Sequence, residues 1–139
     1  MPKCIILQGI PNSGKSTWAN KQYGFIILSC DNIRYIKFGK EYKFSPWNEK
    51  MVWDDFYDLI EIWVYIGRNI IIDNTNLKQA YINQIMCRLT DNYEVEIKRF
   101  DVSLWKAHLR NIIRRVKTGK WIPIKVIKAM YNNYKKLEK

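Results

Sequence analysis

Three short apolar runs punctuate the chain: Lys3–Gln8, Phe25–Ser29 and Asn69–Asp73. Each is too short for a helix and nearly continuous in aliphatic residues, as expected of a strand covered on both faces of a parallel sheet. A fourth stretch, Tyr93–Phe100, alternates Val95 and Ile97 with Glu94, Glu96 and Lys98. That alternation predicts a less buried strand near a sheet edge. Between these runs the apolar residues recur at helical spacing. Ser45-Pro46 reads as an N-cap followed by proline at the first helical position. A long helix is expected from Pro46 to Ile66, with Met51 or Val52, Phe56, Leu59 or Ile60, Trp63 and Ile66 as its buried stripe. Gly67 ends it. Shorter helices are expected over Ser16–Gln22, Leu77–Leu89, Asp101–Arg115 and from Pro123 onward. In the last, Ile127, Met130 or Tyr131, Tyr134 and Leu137 share a face. Strands alternating with helices predict an α/β fold with a parallel sheet.

Some positions fall outside this pattern. Asp54, Asp55, Asp58 and Glu61 form a solvated face of the long helix. Trp53 and Tyr57 belong to neither face, and two roles stay open for them: lining a substrate groove, or touching another subunit. Tyr35–Phe44 interleaves aromatics with lysines, a composition suited either to stacking bases or to a loop tucked onto the core.

Composition narrows the field. At 139 residues the chain is expected to be one domain. Its net charge of +11 favours acidic partners, whether nucleic acid, nucleotides or an anionic surface. Thirteen of the Lys and Arg residues lie from Lys98 onward, against two acids. Cys4, Cys30 and Cys87 are odd in number and widely spaced, so they suggest neither a disulfide framework nor a zinc site. A reducing, cytoplasmic setting fits, and no signal peptide or membrane-length apolar run is visible. His108, the only histidine, reads as a surface or packing residue.

The candidate chemistry sits at the strand ends. Gly9-Ile10-Pro11-Asn12-Ser13-Gly14-Lys15-Ser16-Thr17 matches G-x-x-x-x-G-K-[ST], the loop that cradles nucleotide phosphates. Its glycines let backbone N–H groups face a phosphate, Lys15 can reach the β- and γ-phosphate oxygens, and Ser16 can place its hydroxyl on Mg²⁺. The helix starting near Lys15 points its positive end at the same anion. Asp31 follows the second strand, where a catalytic carboxylate would be useful and a helix-capping aspartate would also fit. Asp73 closes the third strand and can act on Mg²⁺ directly or through water. Alternatively, it caps the next helix as a turn residue. The arginines near 110–117 flank a glycine-containing connection and can form a lid over the nucleotide.

Taken together, the loop Gly9–Thr17 with Trp18, Asp31-x-x-Arg34, Asp73-Asn74-Thr75-Asn76-Leu77, Phe100-Asp101-Val102, Arg110-Asn111-x-x-Arg114 and Ile122-Pro123 resemble the kinase domain of bacteriophage polynucleotide kinase. The resemblance covers essentially the whole chain. It implies a single P-loop kinase domain over residues 1–139, strand order 2-3-1-4, helices on both faces, and a helical lid at about 110–123. It implies γ-phosphate transfer from ATP, or another NTP, with Mg²⁺, to the 5′-hydroxyl end of DNA or RNA. It also assigns roles. Gly9, Pro11, Asn12, Ser13, Gly14, Lys15, Ser16 and Thr17 hold the nucleotide, Asp31 is the general base, and Arg34 contacts the acceptor phosphate. Thr75 and Asn76 belong to the acceptor site, Ser16 and Asp73 to the metal, and Arg114 to the donor phosphates.

Three departures from the family pattern stand out. Cys30 replaces a frequent arginine. The stretch Asp73-Asn74-Thr75-Asn76 leaves open whether Asp73 or Asn74 faces the metal. The lid region is longer, so Arg115 or Lys117 can take the place of Arg114. Nothing in the chain matches a phosphatase domain, so 3′-phosphatase activity is not expected. Two rivals remain: a small-molecule kinase of the same fold, and a non-catalytic nucleotide-dependent nucleic-acid binding module. Self-association also stays open, given the number of aromatics outside the core pattern.

Overall fold

The computed structural model of the chain describes residues 1–118 and 122–137. The expected flexible connection Thr118–Trp121 therefore falls largely outside the described residues, as does the side chain of Leu137. Four parallel strands form one sheet: β1 (Lys3–Gln8), β2 (Ile26–Leu28), β3 (Ile70–Ile72) and β4 (Glu94–Arg99), in the order β2-β3-β1-β4. This is the expected order, and β4 lies at the edge as its alternating pattern implies. Among the described residues, α1 (Lys15–Ala19), α2 (Cys30–Phe38), α3 (Pro46–Ile66) and α4 (Gln79–Met86) connect the strands, and α5 (Leu104–Thr118) and α6 (Ile124–Leu137) follow β4. The architecture is a P-loop kinase fold. Among the described residues no helix is long and apolar enough to cross a membrane.

The sheet is buried on both sides because its central strands carry apolar side chains in both directions. Cys4 and Ile6 of β1, with Ile70 and Ile72 of β3, face α2, α3 and α4 and pack on Val52, Phe56, Ile60, Ile82 and Ile85. The intervening Ile5, Leu7 and Ile71 face the opposite way, onto Ala19, Trp18 and Phe100. A third cluster lies beyond the strand ends, where Ile10 and Leu77 meet Ala107 of α5 and Ile127 and Tyr134 of α6. This cluster seats the two C-terminal helices above the carboxyl edge of the sheet.

Several elements differ from the sequence pattern. The α2 helix was not foreseen: Tyr35–Phe38 belong to it and not to a loop. Ser29, not Asp31, caps it, accepting from the Asn32 amide. Asp31 is thereby released from a capping role. Helix α4 is shorter than Leu77–Leu89. At its start the Asn76 side chain ties the chain to β1 and Leu77 is drawn into the third cluster. At its end the Arg88 and Leu89 amides make tight i−3 bonds to Ile85 and Met86. Along α3 the buried stripe is Val52, Phe56, Ile60 and Val64; Ile66 is exposed.

Phe56 is fully buried at the centre of the largest cluster. Phe56→Ala leaves a cavity against β1 and β3 and should lower unfolding free energy by about 3–5 kcal/mol. A urea titration followed by far-UV circular dichroism reads this; a loss under about 1 kcal/mol would place the core elsewhere.

Candidate active site

The phosphate loop leaves β1 at Gly9, whose N–H donates to the Thr75 carbonyl at 3.1 Å. A side chain at position 9 would strike the Phe100 carbonyl oxygen and Ser13 Oγ, both at 2.9 Å from its Cβ, so only glycine fits. Gly14 adopts a φ of 99°, a left-handed conformation that glycine takes without steric cost, and α1 starts directly after it. The short apolar strand and the glycine-bounded loop thus aim the first amides of α1 into one cavity of about 410 Å³.

Lys15 is almost fully buried. Its Nζ donates to the carbonyls of Gly9 at 2.9 Å and Ile10 at 2.7 Å, and to Ser13 Oγ at 3.3 Å. Oxygens of its own loop thus surround the ammonium, and incoming phosphate oxygens would take their place. Burial pulls the Lys15 ammonium down to about 8, against the opposing charges of Asp73 and Asp31.

Ser16 donates its hydroxyl to Asp73 Oδ2 at 2.7 Å, bringing the end of β3 against the start of α1. Burial, with the charge of Asp31 adding, lifts the Asp73 carboxyl above its usual range, while Ser16 and Lys15 oppose this. Asn74 turns elsewhere: its Oδ1 accepts from the Cys30 amide at 2.9 Å. Of the two residues left open by the sequence, Asp73 therefore faces Ser16. A hydroxyl beside a single carboxylate is the sparse oxygen set that suits Mg²⁺, which takes one or two protein oxygens and completes its shell with phosphates and water. Ser16 and Asp73 are thus the residues that fit a magnesium ion.

Asp31 projects from the first turn of α2, is largely exposed, and lines the same cavity. Its Oδ1 accepts from Arg34 Nη1 at 2.7 Å. Arg34 is held from behind by Glu49 of α3, through Nε to Oε2 at 2.9 Å and Nη2 to Oε1 at 2.6 Å. Tyr42 donates to the same Glu49 carboxylate at 2.5 Å. The Arg34 hydrogen bond holds Glu49 below the usual carboxylate range despite partial burial. Glu49 carries no motif, and its place at the site comes only from the packing of α3 against α2.

Besides the packing of Ala107 on Ile10, helix α5 hydrogen-bonds the phosphate loop at Asn12. Asn12 has a φ of 64°; its carbonyl accepts from Arg110 Nη1 at 2.8 Å, and its Oδ1 accepts from Arg114 Nη1 at 3.4 Å. Arg114 lines the donor cavity. Arg110, noted only as part of a pattern, lines the far side of the loop beside Thr17 and Gly14. The other ends of the lid are joined by Asn111, which donates to the Ile122 carbonyl at 2.6 Å and accepts from its amide at 2.9 Å.

Thr75 and Pro11 line both the donor cavity and a second groove beside it. Asn76 lines the same second groove as Thr75, and its side chain is tied to the backbone. It is buried, and its amide donates to the Leu7 carbonyl at 2.6 Å and weakly to that of Asn74. The side chain is thereby spent on joining the β3 loop to β1. Ser13, also buried, supports Lys15. His108 does not line the cavity, and its Nδ1 is buried without a hydrogen-bond partner among the described residues.

Phosphate binding favours charged Lys15 and raises its pKa. Nucleotide added near pH 8 should therefore be accompanied by uptake of about half a proton, and near pH 6, where Lys15 is already charged, by none. Isothermal titration in buffers of differing ionisation enthalpy reads this. Lys15→Met should abolish the uptake at pH 8, and an uptake that survived the substitution would assign it to another group.

Comparison with solved structures places this geometry among relatives. A chain in the "Pnkp1/Rnl/Hen1 RNA repair complex" matches with a TM-score of 0.87 and 26% identity, over 99% of this chain and 45% of that one. The present chain therefore spans under half the length of that relative. A putative kinase from Chloroflexus aurantiacus matches at 0.70 and 19% identity, covering 85% of this chain and 68% of that one. A gluconokinase from Sinorhizobium meliloti matches at 0.53 and 13% identity, over 95% and 74%. At such identities the last two show the fold alone. The family model AAA_33, described as an AAA domain, matches residues 4–137, and the chain belongs to that family.

Proposed function

We propose that the protein is a polynucleotide 5′-hydroxyl kinase that moves the γ-phosphate of ATP, or another NTP, to the 5′-end of a nucleic acid. One observation carries this reading: Asp31 stands where two cavities meet. The donor cavity holds Lys15, Ser16, Asp73 and Arg114, and the adjoining groove holds Arg34, with Pro11, Asp31, Asn74, Thr75 and Ile122 shared between them. An acceptor hydroxyl entering from the groove meets this carboxylate before it meets the phosphate. The 26% identity to a chain of an RNA repair complex supports a nucleic-acid end as that acceptor.

In this reading Asp31 accepts or orients the hydroxyl proton. A loose transition state asks little of a base, so orientation is its main contribution. Arg34, steadied by Glu49, presents its remaining capacity to the phosphate next to the acceptor hydroxyl. Lys15 and Arg114 face the transferring group and neutralise charge as it develops. Ser16 and Asp73 would hold Mg²⁺, which would supply charge neutralisation for the phosphate oxygens. The cluster of basic residues after Lys98 adds a field that draws in a polyanion.

Incubation with γ-labelled ATP and a 5′-hydroxyl oligonucleotide should label the oligonucleotide and leave gluconate and free nucleosides unlabelled. Labelling of a small molecule alone would assign the site to a small-molecule kinase, and no labelling of either would favour a binding module. Asp31→Asn should cut transfer at least ~100-fold while ATP still binds. Arg34→Ala should raise the acceptor KM more than the ATP KM; equal changes would remove Arg34 from the acceptor side.

A further inference from the structure

The groove beyond Asp31 has a wall that neither the phosphate loop nor the acceptor arginine explains. It encloses about 530 Å³, and its lining includes Trp53 of α3 and Tyr81 of α4. The two rings are stacked, with centroids 5.1 Å apart and planes 9° from parallel. Trp53 is fixed from the other direction by an edge-on contact with Phe56 at 5.4 Å and a tilted contact with Tyr57 at 5.8 Å. Tyr81 remains over one third exposed. A rigid indole braced by the core therefore holds a second ring at the solvent boundary, inside a groove that opens from the candidate acceptor site.

We propose that Trp53 and Tyr81 form a stacking wall for the terminal nucleobase of the acceptor strand, so that the protein requires a base at the 5′-end without reading which one. The inference rests on the polynucleotide reading above and names the part of the acceptor held by this wall. Three features favour a nucleobase. A flat aromatic surface offers a π-face contact that all four bases can make, whereas a sugar acceptor needs several converging hydrogen-bond groups. The polar groups nearest the catalytic carboxylate, Arg34 and Glu49, are engaged with one another and are not arrayed to read a base edge. Lys78, on the same groove, supplies a cation suited to the strand's phosphates. A groove of this volume accommodates a nucleotide unit, in the range of ~300–1,000 Å³ common to ligand sites.

The test compares a 5′-hydroxyl oligonucleotide with one whose 5′-terminal residue is abasic (a tetrahydrofuran sugar), at saturating ATP. The protein as it stands should show an acceptor KM on the order of 10-fold higher for the abasic strand, and similar values for the four natural terminal bases. Tyr81→Ala should raise the KM for the normal strand by a similar factor, leave the ATP KM within about twofold, and erase the distinction between the strands. Tyr81→Phe should restore it. Titration of the protein with unlabelled oligonucleotide should quench its tryptophan fluorescence, and Trp53→Phe, which keeps a ring in the core, should remove that quenching. Equal KM values for the normal and abasic strands overturn the stacking wall even if transfer is efficient. So does an abasic penalty that persists unchanged in Tyr81→Ala. Absence of transfer to any oligonucleotide, with transfer to a small molecule, overturns the polynucleotide reading itself and the wall with it. Failure of this inference and failure of that reading are thus separately visible.

Discussion

The parallel pairing of β1 with β3 is the constraint on which the site depends. With Ile6 opposite Ile72, both strands stop on one edge, and the chain leaving each must turn there. The turn after β1 is the phosphate loop, and the turn after β3 carries Asp73 to Thr75. Their proximity lets Ser16 bond Asp73, the Thr75 carbonyl hold Gly9, and Asn76 clasp Leu7. A slip of one residue would carry Asp73 away from Ser16. The same aliphatic side chains that bury the sheet therefore also fix the geometry of the polar edge.

Charge is arranged at this edge in opposed pairs that stay incomplete. Lys15 is buried among neutral oxygens, which hold its ammonium without satisfying its charge, and its pKa falls to about 8. Arg34 lies between two carboxylates, one braced by α3 and one exposed to the cavity. Glu49 holds the arginine in a planar, bidentate grip, which leaves Asp31 with the freer end of the network. A phosphate arriving at either cation finds it already oriented, so little side-chain ordering remains to oppose binding.

Helix α5 joins this edge at Asn12, through its carbonyl and its side-chain amide. Asn12 takes both Arg110 and Arg114, while Asn111 bridges to Ile122 across the loop. The two Asn12 contacts link residues 98 and 102 positions apart, and they seat two arginines beside the phosphate loop. The apolar base of the lid is the cluster of Ile10, Leu77, Ala107 and Ile127. The two C-terminal helices are thus anchored in the core at this cluster.

Much of this was legible along the chain. Continuous aliphatic runs marked β1, β2 and β3, alternation marked β4 as an edge strand, and Ser45-Pro46 and Gly67 bounded α3 within a residue. The spacing of Gly9, Gly14, Lys15 and Ser16 located the phosphate loop, because backbone conformation and a nearby cation are local needs. Helix α2 escaped notice because its start follows β2 without a break and its aromatic and basic residues mimic a loop. Glu49, Asn111 and Asn12 as a lid contact were also out of reach. Each acts on a partner distant in sequence, and an isolated Glu or Asn carries no periodic signal. The bond from the Asn76 amide to Leu7 was hidden for the same reason, since only the approach of β1 shows where that amide goes.

Taken alone, then, the sequence determined the order of elements, the α/β class and the position of the phosphate loop, because these follow from the burial pattern and from steric needs within a few residues. The tertiary structure alone decided that Asp73, not Asn74, meets Ser16, that Glu49 steadies Arg34, and that Trp53 and Tyr81 stack. Those outcomes depend on how strand ends and helices from separate parts of the chain are brought together, and no local pattern encodes a distance across that gap.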